Sequence, residues 1–302
     1  MLEEISKEEI DILLLGSRDG WIIKNLLDEL NYYKKIKIPY YYFYASRSAC
    51  TIAGLKNEDD ILYAASLAFA GDVREKLSIR FDLQDNEIFD RKTDESEEEY
   101  ILRHSSLILE KAKRDKARYK KYRDKLSFKD DKKIGFFDFV SSGTCQMWLE
   151  DIFSWDMTGL YFLRIYEEKK AELTINSMFE MGHIYEKQKY KIYDNYLFME
   201  NIITSPEPTI RKFDDNGNVL FGEDNRSKRQ FEDLKEIHRG IIDGFKEKLE
   251  NRNLKTVSKE LADAVLSYVR KEYSIMNKDY FESNLLKDEF CNRVFDLKDM
   301  VR

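Results

Sequence analysis

The first fifty residues alternate between short apolar runs and polar breaks. Asp11–Gly16 (DILLLG) is a continuous apolar run closed by glycine, the pattern of a strand buried on both faces. Ser17-Arg18-Asp19-Gly20 follows as a tight polar loop. Trp21–Leu30 then places Trp21, Ile22, Ile23, Leu26, Leu27 and Leu30 at helical spacing. Pro39 opens a second strand over Tyr40–Ala45, which stops at Ser46-Arg47-Ser48. Strand, loop, helix and strand in this order predict the start of a doubly wound α/β sheet.

From about residue 56 to 132 the periodicity is helical and ends in a highly charged stretch, which predicts a helical insertion between strands. Ile134–Phe139 (IGFFDF) is the next buried strand, Val140–Thr144 a loop, Cys145–Phe153 a helix and Thr158–Ile165 a further strand. After Tyr166 the pattern loosens. Asp215-Asn216-Gly217 between two strand-like runs predicts a hairpin over Phe213–Phe221. Helical periodicity returns over Phe231–Leu249 and Thr256–Tyr273, before a frayed charged tail. The expected fold is α/β: a Rossmann-like parallel core in residues 1–168 with the helical insertion. Residues 169–302 form a hairpin and a mostly helical region packed on that core as one unit.

Composition narrows the function. Of 302 residues, 42% are apolar, enough for a sizeable core. The net charge of -7 argues against a nucleic-acid partner, so an anionic ligand needs local N–H groups, arginines or a metal ion. Cys50, Cys145 and Cys291 are odd in number, and His104, His183 and His238 are far apart. This fits a reducing cytoplasm and disfavours a zinc site. The first residues lack the basic-then-apolar pattern of a signal peptide, and no run approaches the roughly 20 apolar residues that cross a bilayer. The expected location is cytoplasmic, extending to the inner face of the membrane. The basic run Lys111–Lys125 reads as a solvated helix face or as a contact for anionic lipid heads.

Candidate chemistry collects at three strand ends. Asp138 closes a buried strand, followed by the hydroxyls of Ser141, Ser142 and Thr144, with Gly143 permitting the turn and a helix beginning after it. Free N–H groups and the positive end of a helix dipole suit a phosphate there, with Asp138 placed for sugar hydroxyls. The same residues also read as a plain strand-to-helix turn. Ser17, Arg18, Asp19 and Gly20 occupy a second strand end, and Ser46 and Arg47 a third, so the joint pattern favours a phosphate-binding rim over three separate turns. Glu200, Thr204, Ser205 and Glu207 lie in MENIITSPEPT, an acceptor-side candidate that equally reads as a turn. His183 and the tyrosines of Tyr185–Tyr196 are weaker candidates for the same cleft.

Phe136–Thr144 (FFDFVSSGT) resembles the phosphoribosyl pyrophosphate motif of type I phosphoribosyltransferases. Asp138 matches the second acid of that motif, and Phe137 stands where the first is usual. SRDGWIIKNLL, YYFYASRSA, DFVSSGTCQMWL, GLYFL and ENIITSPEPTIRKFDDNG together resemble a domain of bacterial polysaccharide clusters, over most of Asp11–Phe245. That domain is fused to, or encoded beside, a haloacid-dehalogenase-type phosphatase.

The resemblance implies transfer of ribose 5-phosphate from phosphoribosyl pyrophosphate to a glycan hydroxyl, with a lipid-linked acceptor expected, before dephosphorylation to ribofuranose. It implies Ser141, Ser142, Gly143 and Thr144 on the 5-phosphate. Ser17, Arg18, Asp19, Gly20, Ser46 and Arg47 fall at the pyrophosphate end, and Asp138 on the ribose hydroxyls and Mg²⁺. Asp19 and Asp138 are the first candidates for the base and Glu200 the third, with Glu200 and Ser205 on the acceptor side. Two other readings remain open: a nucleobase-type phosphoribosyltransferase, and a non-catalytic phosphosugar-binding domain of a phosphatase.

Overall fold

A computed structural model of the chain describes residues 1–32, 36–182, 189–250, 258–276 and 285–296. A short helix α1 (Leu2–Lys7) leads into β1 (Ile12–Gly16), buried at every position. Then follow α2 (Gly20–Tyr32), β2 (Tyr40–Phe43), α3 (Arg47–Gly54), α4 (Glu58–Ser66), α5 (Val73–Arg80), α6 (Glu97–Leu102), α7 (Ser105–Asp124), β3 (Ile134–Ser141), α8 (Thr144–Phe153), β4 (Met157–Ile165) and β5 (Ile175–Met181). The five strands form one all-parallel sheet in the order β2-β1-β3-β4-β5, a Rossmann-like α/β architecture.

Strand alternation explains the two covered faces. Leu13, Leu15, Phe137, Phe139 and Leu160 pack with Ile22 and Leu27 of α2 on one side. Ile12, Leu14, Phe43, Ile134 and Phe136 pack with Cys50, Tyr119 and Trp148 on the other. Both parities are apolar because both faces are buried, as parallel sheets require. The chain runs outward from β1 to β2, then returns to place β3 on the other side of β1. The connections therefore diverge between β1 and β3, which opens a crevice at the carboxyl ends of those two strands.

The insertion is helical as expected, and its sequence carries the starts of its helices. Asn57 accepts from Asp60 N–H at the head of α4, and Asp72/Glu75 and Ser96/Glu99 form capping boxes on α5 and α6. The basic residues of α7 are largely used within the chain. Lys111 pairs with Glu87, Arg118 with Asp115 and Asp215, Lys125 donates to Gly217 O, and Arg123 pairs with Asp130. They lend no support to a lipid contact.

The C-terminal region contributes α9 (Ile192–Ile203), the hairpin β6 (Ile210–Phe213) and β7 (Val219–Phe221), α10 (Lys228–Glu250), α11 (Lys259–Met276), and a second hairpin β8 (Leu285–Asp288) and β9 (Arg293–Asp296). The first hairpin has the expected turn: Asp214 Oδ1 accepts from Asn216 and Asn218 N–H, and Gly217 has φ +71°. Two elements differ from expectation. The sheet continues past residue 168 through β5, whose half-buried, half-polar residues carry no strong strand pattern. The tail read as frayed forms the β8–β9 hairpin. It is anchored by Arg80, 1% exposed, which donates to the carbonyls of Ala64, Leu67, Ala68 and Phe290 at 2.7–2.9 Å. His183 and Tyr185 lie outside the described residues. Tyr190 and Tyr193 are buried in a small apolar cluster. No described helix is long and apolar enough to cross a membrane.

Candidate active site

A cavity of about 290 Å³ opens at the carboxyl ends of β1 and β3, where the sheet order reverses. It is lined by Ser17, Arg18 and Asp19 after β1, Ser46 and Arg47 after β2, and Asp138, Ser141, Ser142 and Thr144 from β3 and α8. Glu200 comes from α9 and Lys287–Phe290 from the last hairpin. The three strand ends singled out in the sequence therefore converge on one volume.

The β1–α2 loop is tight and strained. A Cβ on Gly20 would lie 2.8 Å from Leu15 C, so only glycine lets α2 begin this close to β1. Arg18 has φ +72°, a left-handed conformation unusual for a residue with a Cβ. The Tyr42 hydroxyl accepts its N–H at 2.9 Å, and its guanidinium donates to Thr204 Oγ1 at 3.3 Å and Thr209 Oγ1 at 3.2 Å. Strain of this kind collects at ligand sites. Ser17 Oγ donates to Ala45 O at 2.6 Å, joining the ends of β1 and β2. Ser46 caps α3 by accepting from Ala49 N–H and donates to Ile210 O at 2.9 Å. Both serines line the cavity with hydroxyls already used in the frame.

β3 runs two residues further than expected, so the hydroxyl loop shortens to Ser142-Gly143 before α8. Gly143 has φ +88°, and a Cβ there would sit 2.8 Å from Leu173 Cδ1. Ser141 Oγ accepts from Gly143 N–H at 3.1 Å. No side chain caps α8, so its first N–H groups are available at the mouth of the cavity. Beneath the loop lies Lys170, its ammonium donating to Thr144 Oγ1 at 2.7 Å and Ser142 Oγ at 2.8 Å.

Three carboxyls share the cavity. Burial, then the nearby Asp138 carboxylate, pushes Asp19 up to about 7, opposed by Arg18 and Arg47. Burial also raises Asp138, against stabilising hydrogen bonds from Ser141 and the Phe139 N–H. Glu200 is raised well above the usual carboxylate range by burial and by Asp19. Only part of each carboxyl faces the open cavity, so all three are disfavoured as anions when nothing cationic is bound. Arg47 Nη2 pairs with Asp288 Oδ2 at 2.7 Å.

Among the described residues, no group of three His, Cys, Asp or Glu side chains is placed to hold a metal ion alone. The hard carboxylate oxygens of Asp138 do fit Mg²⁺, which keeps waters and binds through one or two carboxylates plus ligand phosphates. Phe137, which stands where the resembled motif has its first acid, is buried in the core face of β3. Gly20 and Gly143 shape the loops without lining the cavity. Ser205 is fully buried and accepts from Glu207 N–H at 2.9 Å, away from the cavity wall.

Sequence reasoning missed Lys170 and the Lys287–Phe290 wall. Lys170 sits in a run of charged residues (EEKKAE), where nothing local separates a buried lysine from solvated ones. No protein-family model matches the chain, and no curated protein matches its sequence.

Proposed function

We propose that this chain transfers a 5-phosphoribosyl group from phosphoribosyl pyrophosphate to a glycan hydroxyl. One observation carries the reading. Asp138 and a two-hydroxyl loop at a helix N-terminus share one strand end, next to the Arg18–Asp19 loop across the sheet's reversal point. A donor with a phosphate at one end, a diol in the middle and a pyrophosphate at the other matches that order of groups. In the reading, Ser142, Thr144 and the first N–H groups of α8 bind the 5-phosphate. Asp138 accepts from the ribose hydroxyls, and Arg18 and Arg47 face the pyrophosphate.

In the reaction, the bond from C1 to the pyrophosphate oxygen breaks and its electron pair leaves with pyrophosphate. The acceptor oxygen forms the new bond to C1, and its proton passes to a carboxylate. Asp19, with its pKa near 7, is suited to take that proton at neutral pH. Mg²⁺ held by Asp138 together with donor oxygens would supply charge neutralisation at the leaving group. The resemblance adds two partners to the proposal, a lipid-linked acceptor and a haloacid-dehalogenase-type phosphatase that removes the 5-phosphate afterwards.

Calorimetric titration of phosphoribosyl pyrophosphate with Mg²⁺ tests the donor. Wild type binds, and Asp138→Ala and Ser142→Ala lose binding. A folded wild type that does not bind overturns the reading. Burial of Phe137 where an acid is usual favours a second reading, a phosphosugar-binding domain without turnover. Binding of donor with no release of pyrophosphate in the presence of glycan acceptors would select it.

A further inference from the structure

The hydroxyl loop rests on a buried cation that the donor reading does not itself require. Lys170 ends a one-turn 3₁₀ segment (Glu168–Lys170) after β4 and is 1% exposed. Its Nζ donates to Thr144 Oγ1 at 2.7 Å, Ser142 Oγ at 2.8 Å and Glu167 Oε2 at 2.8 Å. An ammonium has three protons and no lone pair, so these partners use its full capacity. A hydroxyl has a single proton, and an oxygen that accepts from an ammonium turns that proton away from it. Ser142 Oγ and Thr144 Oγ1 lie 3.2 Å apart, so one of their two protons can bridge them. The other points into the cavity that both residues line.

We propose that Lys170 is a positioning residue for a phosphate monoester dianion, orienting the Ser142–Thr144 hydroxyl pair so that its one unbridged proton donates toward the cavity, and placing a positive charge beneath the start of α8. The proposal rests on the donor reading above and deepens it, because it names the group that polarises the 5-phosphate end. Burial lowers the pKa of Lys170, and Glu167 opposes that shift. The other charged or titratable groups around it are Cys145 on α8, Arg47 on α3, and Arg164 on β4, which donates to the Lys170 carbonyl at 3.4 Å. A lysine that only tied the β4–β5 connection to the loop would affect both ends of the donor alike. One that orients the hydroxyls affects the monoester end.

Calorimetric titration of ribose 5-phosphate and of inorganic pyrophosphate, each with Mg²⁺, separates these roles. Lys170→Met loses at least about tenfold in affinity for ribose 5-phosphate and keeps pyrophosphate within about twofold. Thr144→Val weakens ribose 5-phosphate in the wild-type background but adds little to Lys170→Met, since both remove the same interaction. Above pH 8, where Asp19 is already ionised, wild-type affinity for ribose 5-phosphate keeps falling before ordinary lysines titrate, and Lys170→Met lacks that fall. If Lys170→Met does not fold, Lys170→Arg, which keeps the charge and changes the donor geometry, carries the test against the same two ligands.

Unchanged ribose 5-phosphate affinity in folded Lys170→Met, equal loss for both ligands, or a flat pH profile overturns the positioning role and leaves the donor reading standing. Lysine-dependent binding of ribose 5-phosphate without binding of phosphoribosyl pyrophosphate does the reverse. A folded wild type that binds neither phosphate overturns both.

Discussion

Arg47 Nη2 lies 2.7 Å from Asp288 Oδ2, so a guanidinium at the second strand end is held by a carboxylate 241 residues later in the chain. The Asp288 oxygen stands where an oxygen of an anionic ligand would meet Arg47. A pyrophosphate entering the cavity must compete with it.

Asp288→Asn keeps an oxygen to accept from Cys291 N–H and removes the charge. The Arg47 side chain is 47% exposed, so the pair contributes little to the fold. Denaturant melts are expected to show a loss under about 1 kcal/mol. Titration of pyrophosphate is expected to show a gain of about threefold.

Asp19 gives a pH signature. Its folded pKa of about 7 lies above the ordinary aspartate value of 3.8, so the folded state holds the proton more tightly. The stabilisation is complete below the unfolded value and is lost as pH rises through the folded one. Without divalent ions, Asp19→Asn is expected to be more stable than wild type at pH 8, by about 1–2 kcal/mol after discounting for solvent in the open cavity. The difference should vanish below about pH 4. Urea melts across that range check both the sign and the window.

Gly20→Ala places a Cβ against backbone that cannot rotate away, 2.8 Å from Leu15 C. The start of α2 must shift, at a cost of about 1–3 kcal/mol. Because the same shift moves Arg18 and Asp19, pyrophosphate affinity should fall even where the variant is fully folded. Thermal melts and titration together read the two effects.

Arg80→Met removes four hydrogen bonds to carbonyls and a guanidinium 4.3 Å from the Phe290 ring centroid. The carbonyls of Ala64, Leu67, Ala68 and Phe290 lose their buried donor. A loss of about 3 kcal/mol or more is expected in denaturant melts. Limited proteolysis should then cut near residues 285–296 before it cuts the sheet.

Much of the core was legible because its signals are local. DILLLG and IGFFDF are buried on both faces, so their apolar runs stand out, and the glycines and hydroxyls after them mark the turns to α2 and α8. β5 was not legible, because an edge strand such as Ile175–Met181 alternates polar and apolar residues without a sharp boundary. The β8–β9 hairpin was missed for a different reason. Its order comes chiefly from Arg80, which donates to the Phe290 carbonyl 210 residues later, and no local pattern records that dependence. Lys170 belongs to the same class: its role is set by Thr144 and Ser142, and its own neighbours in sequence are solvated charges.

The distance between the loops and the hairpin also sets an order of events during synthesis. About 150 residues separate Thr144 from the end of β9. At about 5–20 residues per second the ribosome needs about 8–30 s to cover them. Throughout that interval the three strand ends can exist without their last wall, with Arg47 lacking Asp288 and Arg80 lacking the Phe290 carbonyl. The nascent chain thus carries an open edge on which Arg47 has yet to meet Asp288, and the cavity acquires its closed shape only as the hairpin docks.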